Sequence, residues 1–419
     1  MDLIHIALLS TFLSVVVWSL YNLIVLAVGV KNLRRSKHES ERKHFEAKDL
    51  LTFSIIVAVK NEAKVIGRLL EAFSKLNYPV DRMEIIIVED GSTDKTLNTC
   101  LEHARGSQLK LRILHKPVSN GKPSALNYGI KYAKGEIAGF FDADSVPPSD
   151  LLLNTCRYFE DPEVAAVQGR TLSINSEENM FTKFISYEEA VWCEAYLRGR
   201  DVLGLFVHLR GSCQFIRRDV LMKLKGFDEN VLSEDMEFSV RLAANGHKTR
   251  YGADVRCWQE NPADLKQMFR QRTRWLRGTM EIALKHGKLM TKPNRKNIDV
   301  EMTLFGPFIL IASFMTYLFS FYALFAPLAP DFLWQATMQF TMIVTTSTLF
   351  VCGLALVYVS KPKKLADLLW FPFIYFYWSL QTFMATYSLF LILLRRPREW
   401  VKTEKTGNLK NPARILAAP

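Results

Sequence analysis

The sequence predicts an α/β domain joined to an α-helical transmembrane region. Three observations carry that expectation. Between about residues 50 and 261, short apolar runs alternate with helix-length amphipathic runs, the pattern of a mostly parallel sheet covered by helices. Four stretches, residues 3–30, 302–330, 332–360 and 368–394, contain no Asp, Glu, Lys or Arg; each exceeds the roughly 20 residues that a helix needs to cross a bilayer. The net charge of +12 is concentrated beside those stretches.

The N-terminal stretch (residues 1–30) has no basic segment ahead of it, and its apolar run is longer than that of a secretory signal peptide. Lys31, Arg34, Arg35 and Lys37 follow it. Basic flanks stay cytosolic, so a signal anchor with its N-terminus outside is expected, then a basic cytosolic linker at 31–49. Residues 50–261 form the cytosolic domain, with strands expected at 53–59, 84–88, 111–114, 137–141 and 164–168 and helices near 63–75, 94–104, 124–134 and 149–160. Residues 262–298 include a basic amphipathic stretch suited to a membrane interface. Within 302–394, two spans are expected at 302–330 and 332–360. The third stretch, 368–394, carries Trp370, Pro372, Tyr375, Tyr377 and Trp378 and is expected to lie in the interface or re-enter, because a full span would put the basic tail 395–419 outside.

Residues 31–48, 285–296, 361–364 and 395–414 carry +4, +5, +3 and +5, which leaves the rest of the chain at −5. Basicity confined to the flanks of apolar stretches is the positive-inside pattern, not the footprint of a nucleic-acid binder, and no nucleic-acid partner is expected. The six cysteines are scattered without a CxxC pair, which excludes a zinc ribbon or a disulfide framework and suits the reducing cytosol.

Ligands of such sheets bind at the carboxyl ends of the strands, and the polar clusters fall there. The first strand ends before Lys60-Asn61-Glu62, the second at Glu89-Asp90-Gly91-Ser92-Thr93-Asp94, the fourth before Asp142-Ala143-Asp144. The second cluster also reads as a turn plus a helix N-cap. Two carboxylates two positions apart share a face if they are still on a strand, and hard divalent cations take such oxygens. Ser233-Glu234-Asp235 and Gln271-Arg272-Thr273-Arg274-Trp275 follow; their plainer readings are a solvated acidic turn and an interfacial helix.

Taken in order, Asp90, Asp142-Ala143-Asp144, Glu234-Asp235 and Gln271-x-x-Arg274-Trp275 resemble the "D, DxD, ED, QxxRW" series of the processive family 2 glycosyltransferases, the cellulose, hyaluronan, chitin and poly-N-acetylglucosamine synthases. Segment 120–127, Asn-Gly-Lys-Pro-Ser-Ala-Leu-Asn, and Gly211 with Arg217-Arg218 are similar to further motifs of that family. Ala58, Glu89 and Ser233 depart from it. The resemblance implies a GT-A-type, Rossmann-like cytosolic catalytic domain in a multi-pass protein of the cell membrane. It implies nucleotide-sugar contacts from Glu62, Asp90, Lys122, Asp142 and Arg274, with Mg²⁺ or Mn²⁺ on Asp144. Asp235 would be the catalytic base, and Glu234, Gln271 and Trp275 would hold the acceptor. Trp400, Thr403 and Lys405 are similar to a gating loop that closes over the nucleotide; the plainer reading is a basic juxtamembrane tail. The implied activity is inverting transfer from a UDP-sugar to a growing β-linked polysaccharide, with processive extension and export. The alternative is transfer of one sugar to a polyprenyl phosphate or sphingolipid, and a catalytically dead scaffold would lack one of the carboxylates. The expected partners are the donor, an oligosaccharide or polysaccharide acceptor, the bilayer, and a second copy or a partner membrane subunit to complete a channel.

Overall fold

A computed structural model describes residues 3–33, 50–106, 108–287, 294–325, 332–359, 369, 371–398 and 402–407. Trp400, the linker residues 34–49 and the basic cluster 361–364 lie outside the described residues. The strands are β1 (Phe53–Val59), β2 (Met83–Asp90), β3 (Leu111–Lys116), β4 (Ile137–Phe141), β5 (Val164–Ser173), β6 (Gln214–Arg217) and β7 (Lys248–Gln259). The helices used below are α1 (Leu3–Asn32), α2 (Ile66–Ser74), α3 (Thr96–Gly106), α4 (Lys122–Ile130), α5 (Leu151–Tyr158), α6 (Met180–Val191), α7 (Arg198–Val202), α8 (Arg218–Lys223), α9 (Glu234–Ala244), α10 (Leu265–His286), α11 (Arg295–Leu304), α12 (Gly306–Phe325), α13 (Phe332–Val359) and α14 (Phe371–Leu393). The chain forms two compact units. One comprises His38–Glu189, Phe206–Met268 and Trp400–Pro419; the other comprises Met1–Lys37, Ala190–Leu205 and Phe269–Glu399.

The first unit is a mixed sheet of seven strands in the order β3-β2-β1-β4-β6-β5-β7. All five expected strands form. Two more, β6 and β7, complete the sheet, and β6 is antiparallel to both of its neighbours. The short β6 run, Gln-Phe-Ile-Arg, and the charge-studded β7 do not stand out as apolar runs. Alternation along β1 feeds two cores: Phe53, Ile55, Val57 and Val59 pack with α2, α3 and α5, whereas Ile56 on the opposite face packs with α4, α8 and α9. β1 pairs in parallel with β2 on one side and β4 on the other, so the chain reverses its direction of travel across the sheet there. The carboxyl ends of these strands flank a topological switch point, where open α/β sheets bind ligands.

In the second unit, α1 meets the segment 192–202 backbone to backbone. A Cβ on Gly29 would lie 1.8 Å from the Ala195 carbonyl oxygen, and one on Gly199 would lie 2.0 Å from that of Val25. Beside this crossing the fully buried Arg200 makes two hydrogen bonds to Asp299 (2.6 and 2.8 Å) and one to the Tyr196 hydroxyl (2.8 Å). Tyr21 of α1 donates to the same carboxylate.

Among the described residues, two helical segments, Leu9–Asn32 and Tyr375–Leu393, are long and apolar enough to cross a membrane, and a third arises if the pair Arg295–Leu304 and Gly306–Leu318, bent by 50°, is one span. The break therefore falls between α11 and α12. The segment expected to be interfacial or broken is a single helix from Phe371 to Leu393. Contacts between α12 and α14 run in opposite order along the two helices, Tyr317 to Tyr375 and Phe314 to Phe383. The chain leaving α14 is pinned to α10, because Arg277 donates to the carbonyls of Arg396 (2.6 Å) and Pro397 (3.0 Å) and Arg398 pairs with Glu281 at 2.8 Å.

The close crossing makes a specific prediction. Gly199→Ala should destabilise the detergent-solubilised protein by at least about 1–3 kcal/mol, the usual cost of overpacking, read as a lower unfolding temperature. Gly106→Ala, where a Cβ meets nothing within 4 Å, should leave that temperature unchanged.

Candidate active site

The loops after β1 and β2 are stitched together. Asn61, held at φ 55°, accepts from the Thr93 N–H through its side chain (2.8 Å), while its own N–H donates to Ser92 Oγ (3.0 Å). The Glu62 N–H donates to Thr96 Oγ1 (2.7 Å), and Asp94 accepts from the Thr96 N–H (2.9 Å). Ser92, Thr93 and Asp94 thus do the turn and helix-start work that the plainer reading gave them. Asp90 stands apart from it at the end of β2. It is buried, pairs with Lys116 (3.0 Å) and accepts from Ser119 Oγ (2.6 Å). Glu89, where the family has Asp, accepts from the Ser92 N–H and binds His115 Nδ1, both at 2.5 Å.

Asp142 and Asp144 do not share a strand face, because β4 ends at Phe141. A turn closed by the Ser145 N–H on the Asp142 carbonyl (3.1 Å) sends them to different surroundings. Asp142 is 39 % exposed and takes Lys122 Nζ at 2.6 Å. Lys122 also donates to the Gly211 carbonyl (3.2 Å) and lies 3.6 Å from Glu234. Burial alone would lower the Lys122 pKa; Asp142 and Glu234 outweigh it and hold the ammonium above the ordinary lysine value. Glu234 and Asp235 open α9, and a Cβ at Gly211 would meet Asp235 Oδ2 at 3.1 Å and Lys122 Nζ at 3.4 Å. Asp235 and Lys122 therefore line one small space. Glu234 is buried, not a solvated surface acid.

Asp144 is buried, and its Oδ2 takes Lys405 Nζ at 2.7 Å and the Glu260 N–H at 2.9 Å. Burial opposes its charge, but Lys405, the Glu260 N–H and Arg68 prevail and hold its carboxyl below the usual range. Lys405 is itself raised: burial disfavours its charge and Asp144 more than restores it. Glu62 pairs with Lys402 (3.0 Å), yet burial dominates and pushes its pKa up to about 7. Of the expected gating-loop residues, Lys405 thus lies on the strand-end carboxylates, and Thr403 lies in the same segment. Glu260, Arg68 and Lys402 belong to this cluster without having been singled out. Glu260 directly follows the carboxyl end of β7, the same position as the other strand-end acids, on a strand that has no continuous apolar run to mark it in the sequence. Gln271, Arg274 and Trp275 lie on the part of α10 that belongs to the second unit, where the Arg272 guanidinium stacks 4.8 Å from the Trp275 ring.

Residues 52–278 match the family described as "Glycosyltransferase like family 2", more than half of the chain. The chain belongs to that family. Similar proteins include "Probable glycosyltransferase YdaM" of Bacillus subtilis, 29 % identical over 68 % of this chain and 69 % of that one. "Beta-monoglucosyldiacylglycerol synthase" of Nostoc is 33 % identical over 61 % of this chain and 56 % of its own length. "Poly-beta-1,6-N-acetyl-D-glucosamine synthase" of Staphylococcus epidermidis is 28 % identical, with 55 % of each chain covered. The chain thus spans little more than half the length of several curated relatives. The mannosyltransferase PcManGT of Pyrobaculum calidifontis, solved with GDP-Man and Mn²⁺, superposes with a TM-score of 0.59 at 18 % identity, over 93 % of this chain and all of that one. The α/β unit of this family 2 enzyme is accordingly the GT-A-like mixed sheet.

As to a divalent ion, the carboxylate oxygens of Asp142 and Asp144 are the hard donors that Mg²⁺ or Mn²⁺ prefers, and Asp144 already takes a cation, the Lys405 ammonium. No group of three or more His, Cys, Asp or Glu side chains among the described residues forms a ready-made metal cage, so substrate oxygens would have to complete the shell.

Lys122 should matter to the fold as much as to the site. Replacing one partner of a buried ion pair costs about 3–5 kcal/mol, less here because Asp142 is partly exposed. With its native pKa raised, Lys122 stabilises fully below about 10.4, the unfolded value, and loses that contribution only as pH rises through the native value. Lys122→Met should therefore show equal losses at pH 7 and pH 9 in denaturant unfolding.

Proposed function

We propose that this family 2 glycosyltransferase transfers a sugar from a UDP-sugar, with inversion, to the hydroxyl of an acceptor held at a membrane. The observation that carries the proposal is that Asp235 and Lys122 line one space at Gly211, with Lys122 paired to Asp142 just beyond the end of β4. A sugar or lipid hydroxyl is a poor nucleophile until a positioned base takes its proton. Asp235 accepts that proton as the hydroxyl oxygen bonds to the anomeric carbon, the bond to the diphosphate breaks on the opposite side, and UDP leaves with the electron pair. One displacement turns an α-linked donor into a β-linked product. Asp90, at the end of β2, and Asp142 hold the nucleoside; Lys122 fixes Asp142 in place. A divalent ion bound at Asp144 would supply charge neutralisation for the departing diphosphate.

The acceptor we infer is a membrane lipid. Similarity to three beta-monoglucosyldiacylglycerol synthases at 32–33 % identity supports it. So does the small set of helices long enough to cross a bilayer among the described residues, because a few helices packed at the usual 8–10 Å leave little room for a hydrated polymer. A second reading, extension of a β-linked polysaccharide, is favoured by Gln271-x-x-Arg274-Trp275, with Trp275 as a stacking platform, and by the poly-N-acetylglucosamine synthase relatives. It requires a second copy or a partner membrane subunit to complete a channel. In both, the N-terminus is outside and the basic tail is cytosolic.

The deciding experiment incubates purified protein with a panel of radiolabelled UDP-sugars, with and without diacylglycerol vesicles. Label should move to the organic phase as a single-sugar lipid; label retained as size-dispersed polymer would favour the second reading. Asp235→Asn should cut transfer by roughly 10²–10⁴-fold, the worth of a general base, and leave UDP binding intact; retention of more than about a tenth of the activity would remove Asp235 from the role.

Chelation supplies the metal test. EDTA should silence the enzyme, Mg²⁺ or Mn²⁺ should restore it, and Asp144→Ala should not be restored by either ion. Full activity in excess chelator would exclude the metal assignment.

A further inference from the structure

The segment 402–407 is docked on the α/β unit by more than charge. The Glu260 carboxylate accepts from the Thr406 N–H (2.5 Å), the Thr406 hydroxyl (2.9 Å) and the Gly407 N–H (3.3 Å), and the Glu260 carbonyl accepts from Lys405 Nζ. Lys402 donates to the Asn61 carbonyl and pairs with Glu62. Gly407 has φ +70°, and a Cβ there would meet the Lys64 carbonyl oxygen at 2.8 Å, so the segment fits closely against the loop after β1. Glu260 is 3 % exposed, and Arg68 lies 3.7 Å from its carboxylate. Three carboxylates, of Glu62, Asp144 and Glu260, face three cations, of Arg68, Lys402 and Lys405. Two of those cations, Lys402 and Lys405, come from the segment.

We propose that Glu260 is a positioning residue that latches the C-terminal segment, and that the latched Lys405 ammonium takes the place on Asp144 that a divalent ion would occupy, so that docking of the segment and metal binding exclude each other. The proposal rests on Asp144 being the metal residue. Its physical basis is that Asp144 Oδ2 already accepts both Lys405 and the Glu260 N–H. A second cation on that buried carboxylate would face the ammonium at close range, where like charges repel strongly. Metal entry must therefore lift Lys405 away, and the Glu260 latch sets how much of the metal's binding energy is spent in doing so. The donor's diphosphate, which brings its own negative charge, gives the displaced lysine a new partner. Charging the site with metal and donor thereby becomes a concerted exchange of cations.

The test uses the full chain in detergent with a nitroxide label on a cysteine replacing the exposed Glu404 in the otherwise cysteine-depleted protein. All Mg²⁺ additions are made at saturating UDP, whose phosphate oxygens complete the shell; without metal the label should be immobile, and Mg²⁺ should mobilise it. In Glu260→Gln the label should be mobile from the start, and Mg²⁺ should bind at least about threefold more tightly by calorimetry, with the same gain in Lys405→Ala. Gly407→Ala changes only the segment, keeps the Glu260 side chain, and should reproduce the mobile label if Glu260→Gln proves unstable. A label that stays immobile while Mg²⁺ binds, or Mg²⁺ affinities unchanged in Lys405→Ala, would overturn the exclusion. Asp144→Ala separates the two layers. If it binds Mg²⁺ as well as the parent does, the metal assignment itself fails; if it loses Mg²⁺ binding while the parent label ignores the ion, only the exclusion fails.

Discussion

A carboxylate buried at the end of a strand must have a cation within reach, and much of this site is arranged by that requirement. Removing a charge from water costs several kcal/mol, roughly, even after relaxation. Asp90, Asp144, Glu234 and Glu260 are all at most 5 % exposed. Each has a basic side chain beside it: Lys116 for Asp90, Lys405 for Asp144, Lys122 for Glu234 and Arg68 for Glu260. None of these partners is adjacent in sequence to the acid it neutralises. Acids gathered around the carboxyl ends of the strands thus stay buried on charge that distant segments of chain supply.

The sheet was legible because burial on both faces demands continuous apolar runs. β1, Phe-Ser-Ile-Ile-Val-Ala-Val, and β4, Ile-Ala-Gly-Phe-Phe, can hardly be anything else between turn signals. β6 and β7 escaped because their pattern is of another kind. β6 is four residues long and begins and ends with polar side chains, and β7 alternates charged and apolar positions. Missing β7 meant missing Glu260. The site acids themselves were readable from position at strand ends, whereas their surroundings were not. Whether Asp142 and Asp144 share a face depends on where β4 stops, and element ends are the least legible feature of a sequence. Residues 190–205 illustrate a harder limit. They lie inside the span assigned to one domain, yet belong to the helical unit with α1. Only the small residues Gly29, Ala195 and Gly199 hint at such a crossing, by the same logic that places small residues at helix interfaces in membranes.

The second unit shows how a polar cluster can be kept among apolar helices. Arg200 is fully buried, and its guanidinium is met by the Asp299 carboxylate on one edge and the Tyr196 hydroxyl on another, with the Tyr196 ring 4.6 Å away. Arg198 and Glu194 form a second buried pair at 2.6 Å. Both pairs lie next to the Gly29 and Gly199 crossing, and Asp299 arrives from α11, about a hundred residues further along the chain. Because truncating one member would leave the other charged and unpaired in an apolar setting, the pairs specify which helix faces meet. The close glycine contacts supply the approach distance, and the ions supply the register.

The same logic of borrowed charge explains why one lysine serves the reaction from a distance. Lys122 touches Asp142 and Glu234 and lies across the Gly211 position from Asp235. Its location on the first residue of α4 fixes it to a helix that packs against β1 and β2. Asp235 lies in the first turn of α9, where the positive end of the helix dipole favours negative charge, and the Met236 N–H donates to it at 2.8 Å. Two helix starts and one ammonium thus converge on the carboxylate proposed as the base. Glycosyl transfer does not ask for a strong base. The acceptor hydroxyl becomes acidic only as its oxygen bonds to the anomeric carbon, so a base that is ionised and correctly placed beforehand contributes more than one that is strong but misplaced. In this site the placement comes from secondary structure: the proposed base sits in the first turn of a helix, beside the turn at Gly211.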